Sequence, residues 1–174
     1  MNAETIGYNC SRAEWETLRL LLKLPLPPGM SLLELDAQAC QAAYDTLCES
    51  GLLVPSGDRV VVDRLFAFLL SELSESRLCL RVQADGRHLL LYRTPRLALL
   101  CECTLAHCCM IPFQEARQAE DSLQSRLRQC EPPVVVSLLE EDALLETAEA
   151  ESQDQASTIA AGMFQRFCDL NDKR

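Results

Sequence analysis

The sequence predicts an α+β domain, a mainly antiparallel sheet flanked by helices, with an N-terminal three-helix part of winged-helix-like order. Three observations point there. Helical spacing of apolar residues dominates the first 75 positions. From residue 77 the period changes to alternation, broken by an Asp-Gly pair. A helix, a β-branched run and a last helix then follow. Strands grouped together between helices favour an antiparallel sheet over alternating βαβ units.

The first helix is marked by Ser11-Arg12-Ala13-Glu14, a capping box in which Ser11 and Glu14 satisfy each other's backbone amides. Trp15, Leu18, Leu21 and Leu22 follow on one face, and PLPPG at 25–29 ends the helix because proline lacks the backbone donor. A second helix is expected over 34–50, with Leu35, Ala39, Ala43 and Leu47 as its buried stripe and Gly51 as its cap. Ser56-Gly57-Asp58 signals a turn inside a short hairpin or extended excursion. Asp63 caps a third helix, 64–75, with Leu65, Phe68, Leu69 and Glu72 on a mixed face.

Leu78, Leu80 and Val82 then alternate with Cys79 and Arg81, and Asp85-Gly86 precedes His88-Leu89-Leu90-Leu91-Tyr92. An Asp-Gly pair between apolar runs is the strongest short hairpin signal. Residues 97–111 read as one or two further strands or as a buried helix, since periodicity alone does not separate them. A helix over 113–129 presents Ala116, Ala119, Leu123 and Leu127, and Val134-Val135-Val136 reads as a strand. The acidic stretch EEDALLETAEAESQDQAS is expected to be partly helical or loose. The last helix, about 154–170, carries Ile159, Met163, Phe164, Phe167 and Leu170.

Charge divides the chain. The 174 residues hold 16 Lys+Arg and 26 Asp+Glu, a net of -10. Residues 1–129 account for 13 basic and 16 acidic side chains, and 130–174 for 3 and 10. The expected organisation is a single α+β body, 1–129, and an acidic C-terminal extension, 130–174. Its closing amphipathic helix docks on the same domain. The acidic balance disfavours nucleic acid and anionic lipid, both of which need a positive surface. The helix that would enter a DNA groove, 34–50, holds Glu34, Asp36, Asp45 and Glu49 and no Lys or Arg. No apolar run reaches the roughly 18 residues of a membrane span. The opening residues MNAETIGYNC show no basic run followed by an apolar stretch, so a cytoplasmic protein is expected.

That compartment changes the meaning of 10 Cys. They are expected as reduced thiols acting as small buried hydrophobes. The tightest ligand cluster is Cys101, Cys103 and His107, with Cys108 and Cys109 adjacent. Thiolate and imidazole suit zinc, and Cys101 and Cys103 would share one strand face. The competing reading is a cysteine-rich core strand, and no resident cofactor is expected. Nucleophilic catalysis would need a base beside a Ser or Cys. The two histidines, His88 and His107, come with no nucleophile elbow, and no glycine-rich phosphate loop is present. The chain is therefore expected not to be an enzyme. Met163, Phe164 and Phe167 on the last helix are the candidate partner-binding residues, facing the body, a second copy or another protein.

Over 15–83 the order is a helix (WETLRLLLKLPLPPGM), a helix (AYDTLCESGLLV), a turn (PSGDRVVVD), a helix (RLFAFLLSEL) and a strand (RLCLRVQ). This resembles the N-terminal part of EspG-type proteins, cytoplasmic chaperones of ESX (type VII) secretion. The resemblance implies binding of secretion substrates through a sheet face or edge, covering an apolar helical tip. The expected function is thus a non-enzymatic cytoplasmic protein-binding module, a chaperone or adaptor for type VII secretion substrates, with a protein partner or a homodimer. The alternatives are a winged-helix transcription regulator and a small zinc- or thiol-dependent protein.

Overall fold

The computed structural model describes residues 7–141 and 143–173. Strand β1 (Tyr8–Ser11) leads into α1 (Arg12–Leu22). The Ser11 hydroxyl accepts from the Glu14 amide at 3.1 Å, and the Ser11 amide donates to Glu14 at 2.6 Å. Lys23 closes α1 in the left-handed conformation, and the chain crosses one sheet face irregularly before α2 (Ala37–Glu49). Asp36 caps α2 by accepting from the Ala39 amide. The hairpin of β2 (Leu53–Ser56) and β3 (Arg59–Val62) then leads to α3 (Arg64–Glu75), capped by Asp63 on the Phe66 amide. Two helices, α1 and α2, thus precede this hairpin and α3 follows it.

The sheet starts with β4 (Leu78–Ala84) and β5 (Arg87–Arg93), joined by Asp85-Gly86. Both turn residues have positive φ, 49° and 70°, which matches the right-handed twist of a two-residue hairpin. Strands β6 (Ala98–Cys103) and β7 (His107–Phe113) resolve the 97–111 stretch as two strands. Then come α4 (Ala116–Leu127), β8 (Val134–Glu140), β9 (Ala143–Ala150) and α5 (Gln153–Asn171). The seven-stranded sheet has the order β1-β7-β6-β5-β4-β8-β9, and every described pairing in it is antiparallel.

Each face of this sheet carries its own core. On one side α1, α2 and α3 bury Trp15, Leu47, Phe66 and Leu70 against Cys79, Leu90, Leu99, Cys101 and Met110. On the other, α4 and α5 bury Leu123, Leu127, Phe164 and Phe167 against Leu80, Leu91, Leu100 and Val136. Double-sided burial explains why β5 and β6 read as near-continuous apolar runs: both sets of alternating side chains leave water.

Four points differ from, or go beyond, what the sequence led us to expect. The acidic stretch after residue 140 is neither helical nor loose over 143–150; it forms edge strand β9. Its Ala, Leu and Glu content favours helix, but β8 supplies a ladder partner, and an edge strand tolerates outward acids. Strand β1 carried no periodic signal, since four residues are too few to show one. Of the mixed face expected on the third helix, Leu65 is exposed while Leu69 and Glu72 are buried, and Phe66 and Leu70 are buried as well. Segment 130–174, expected as an extension docked on the body, contributes β8, β9 and α5, with β8 paired directly to β4.

Candidate functional site

Alternation along the strands decides where the cysteines go. Cys101 and Cys103 lie on the β6 face covered by α1, and Cys108 of β7 is the register partner of both Cys103 and Cys10 of β1. The Cys103 and Cys108 sulfurs are 3.0 Å apart. The Cys10 thiol donates to the Cys108 carbonyl at 3.7 Å. Cys79 of β4 belongs to the same core. All ten thiols are free, and six are buried.

Burial sets their chemistry. It pushes the Cys79 thiol up to about 12. Cys10 is likewise raised to about 12, by burial first and then by the nearby Glu14 carboxylate. Cys103 is driven up by its hydrogen bond with Cys108 and by burial, against a lowering by Arg12. Cys101 also ends above its ordinary value: the hydrogen bond with Cys108 lowers it, but burial and the neighbouring thiols raise it by more. At neutral pH these groups rest as protonated thiols.

His107, the third expected metal ligand, is exposed at the β6–β7 turn and does not join Cys101 and Cys103. Among the described residues no group of three or more His, Cys, Asp or Glu is arranged to hold a metal ion. The turn itself explains the separation. Thr104 and His107 close it by backbone and side-chain bonds, and side chains alternate, so His107 and Cys108 point to opposite faces.

The histidine that does approach the thiols is His88. On β5 it is the register partner of Cys103, so Cys103 stands between His88 and Cys108. Burial, then Arg81 and Arg12, hold the His88 imidazole below its ordinary value. A cleft of about 130 Å³ opens here, lined by Arg12, Gly29, His88 and Cys103 among others. This grouping draws on β5, β6, α1 and the coil before α2, so no local spacing in the sequence announces it.

A larger cleft, about 720 Å³, lies at the opposite ends of these strands. It is lined by Arg77, Arg93 and Arg96. Each guanidinium already has a carboxylate: Glu141 at 3.7 Å, Asp172 at 2.8 Å and Glu72 at 3.3 Å. The cleft therefore offers little uncompensated positive charge to an anion.

Met163, Phe164 and Phe167 are buried against the chain's own sheet, not displayed to a partner. The exposed apolar surface lies elsewhere. Val54 and Val61 are cross-strand partners on the β2–β3 hairpin, each 53% exposed. Val60, on the other face of the hairpin, and Leu65, at the start of α3, are exposed as well. Spacing marked this hairpin, but not that its valines would lack a covering layer.

No family model and no curated protein matches this chain. Among the described residues no helix is long and apolar enough to cross a membrane.

Proposed function

We propose that this chain is a non-enzymatic, cytoplasmic protein-binding module, a chaperone or adaptor, and that the β2–β3 hairpin is its contact surface. The supporting observation is the exposed cross-strand pair Val54–Val61. Two β-branched residues facing water across a two-stranded ribbon leave apolar area that a partner would desolvate, worth about 25 cal/mol per Å² buried. Arginine outnumbers lysine 14 to 2, which suits interfaces because the guanidinium stacks and forks onto carboxylates. The resemblance over 15–83 to EspG-type chaperones supports type VII secretion substrates as the partner class.

A three-helix winged-helix part was expected at the N-terminus, and two helices precede the hairpin, so we assign the surface to protein rather than DNA. Helix α2 presents no Lys or Arg to a phosphate-lined groove. The test is pull-down of proteins encoded beside this one, with the wild-type chain and with the double variant Val54→Glu/Val61→Glu. Capture by the wild type and loss in the variant is the expected result. Salt-dependent binding of promoter DNA, with no captured protein, would overturn the reading in favour of a transcription regulator.

A further inference from the structure

We propose that Cys103 and Cys108 are a dithiol redox site, converted to an intrachain disulfide by a small-molecule disulfide of the glutathione class that reaches Cys103 through the cleft beside Arg12. The site is distinct from the hairpin surface and stands or falls independently of it.

Three observations carry it. The two sulfurs are already 3.0 Å apart across adjacent strands. Their backbone position suits a bridge. Thr104 donates its amide to the His107 carbonyl at 2.8 Å, so the next pair inward, Cys103 and Cys108, is the non-hydrogen-bonded kind, where side chains approach most closely. Such a pair has Cα atoms about 4.5 Å apart, inside the range a disulfide spans without backbone movement. Finally, only one of the two residues lines the cleft. Cys103 does, together with Arg12, and Cys108 lies behind it in the core.

The asymmetry orders the chemistry. The Cys103 thiol loses its proton, and its sulfur attacks one sulfur of RSSR. The S–S bond of the reagent breaks, and the departing RS⁻ takes up a proton to leave as RSH. Arg12, nine-tenths buried and anchored by donating to the Ser31 carbonyl at 2.6 Å, places a positive charge beside the sulfur as it ionises. Cys108, deprotonated in turn, attacks the Cys103 sulfur of the mixed disulfide and expels the second RSH. The protein loses two hydrogens and two electrons, and RSSR gains them as two thiols.

Other partners are near enough to make the assignment falsifiable. Cys101 is two residues along the same face of β6, and Cys10 sits beyond Cys108 on β1. Four further thiols, Cys40, Cys48, Cys109 and Cys168, are partly exposed and would take up glutathione singly.

The experiment uses the full chain, reduced and freed of reductant, incubated with oxidised glutathione. Remaining thiols are alkylated, the chain is cut with chymotrypsin after Leu105 between the two cysteines, and the fragments are weighed without reduction. The expected result is one species in which the fragment holding Cys101 and Cys103 is joined to the fragment holding Cys108 and Cys109. Fragmentation of the joined pair should place the S–S bond between Cys103 and Cys108, with Cys101 alkylated and Cys109 alkylated or glutathionylated. Cys108→Ser should lose that species and accumulate glutathione on Cys103. Cys103→Ser should leave Cys108 alkylated and free of glutathione. Cys101→Ala should keep the link, with the far-ultraviolet spectrum of each variant confirming the fold. Linkage of Cys108 to Cys101 or Cys10 would overturn the proposal. So would a Cys103 that stays alkylatable after the four partly exposed thiols have reacted.

Discussion

Ser11 shows how far a single residue can be understood from its neighbours. Its hydroxyl and the Glu14 carboxylate satisfy two orphan amides, an arrangement encoded within four positions and therefore visible in the sequence. Ser11→Ala should lower stability by about 1 kcal/mol in a urea titration. Gly29 is the opposite case. Its φ of +77° strains any side chain, and the Cys79 sulfur 3.1 Å from where a Cβ would stand would have to give way, but that sulfur comes from β4, far along the chain. Gly29→Ala should lower stability, by more than the ~0.4–1 kcal/mol that an unstrained exchange would gain, measured the same way. The buried thiols give a pH dependence. Cys10 and Cys79 are raised from 9.0 to about 12, so the folded state holds protons that the unfolded state gives up. Their contribution is complete below pH 9 and is lost as pH rises towards about 12. Stability under reducing conditions should fall across that alkaline window, and Cys79→Ala should flatten the slope while lowering the plateau. A slope unchanged by the substitution would contradict the assignment.

At the scale of elements, caps and turn pairs were legible and edges were not. Asp63 and Asp85-Gly86 mark their helix and hairpin because each acts on amides or dihedrals within a few residues, whereas Asp36, expected inside the second helix, caps its start. Strand β9 misled because its residues prefer helix, and what holds it extended is β8. Helix α5 was legible as an amphipathic helix, but its apolar face has two readings in sequence, a partner's groove or its own sheet. The structure chooses the sheet: Ala156 and Ala160 are fully buried and Phe167 lies beneath them in the same core. Phe167→Ala should therefore cost about 3–5 kcal/mol, the range for truncating a buried aromatic, and calorimetry should show a correspondingly lower Tm. Glutamate at Val54 or at Val61 alone should change stability by no more than about 0.5 kcal/mol, since both side chains already face water; the double variant opposes like charges across the ribbon and should cost more, up to about 1 kcal/mol beyond that.

For the molecule as a whole, the charge boundary near residue 130 does not divide the fold. Segment 130–174 carries 7 of the 10 net negative charges, yet it supplies β8 between β4 and β9 and the helix that covers one sheet face. A chain ending at 129 would expose the edge of β4 and the apolar face under α5. It should fail to give a cooperative unfolding transition, and a sharp transition would show that the body stands alone. Local signals in the sequence determined the helices, the caps, the β4–β5 hairpin and the antiparallel α+β class, because hydrogen bonds and spacing within a few residues set them. The tertiary structure alone decided the strand order, the two-sided core, the edge strand, the uncovered valines and the meeting of Cys103 with His88, Arg12 and Cys108. Those depend on which distant segments pack together, and packing energy is settled by the whole chain at once.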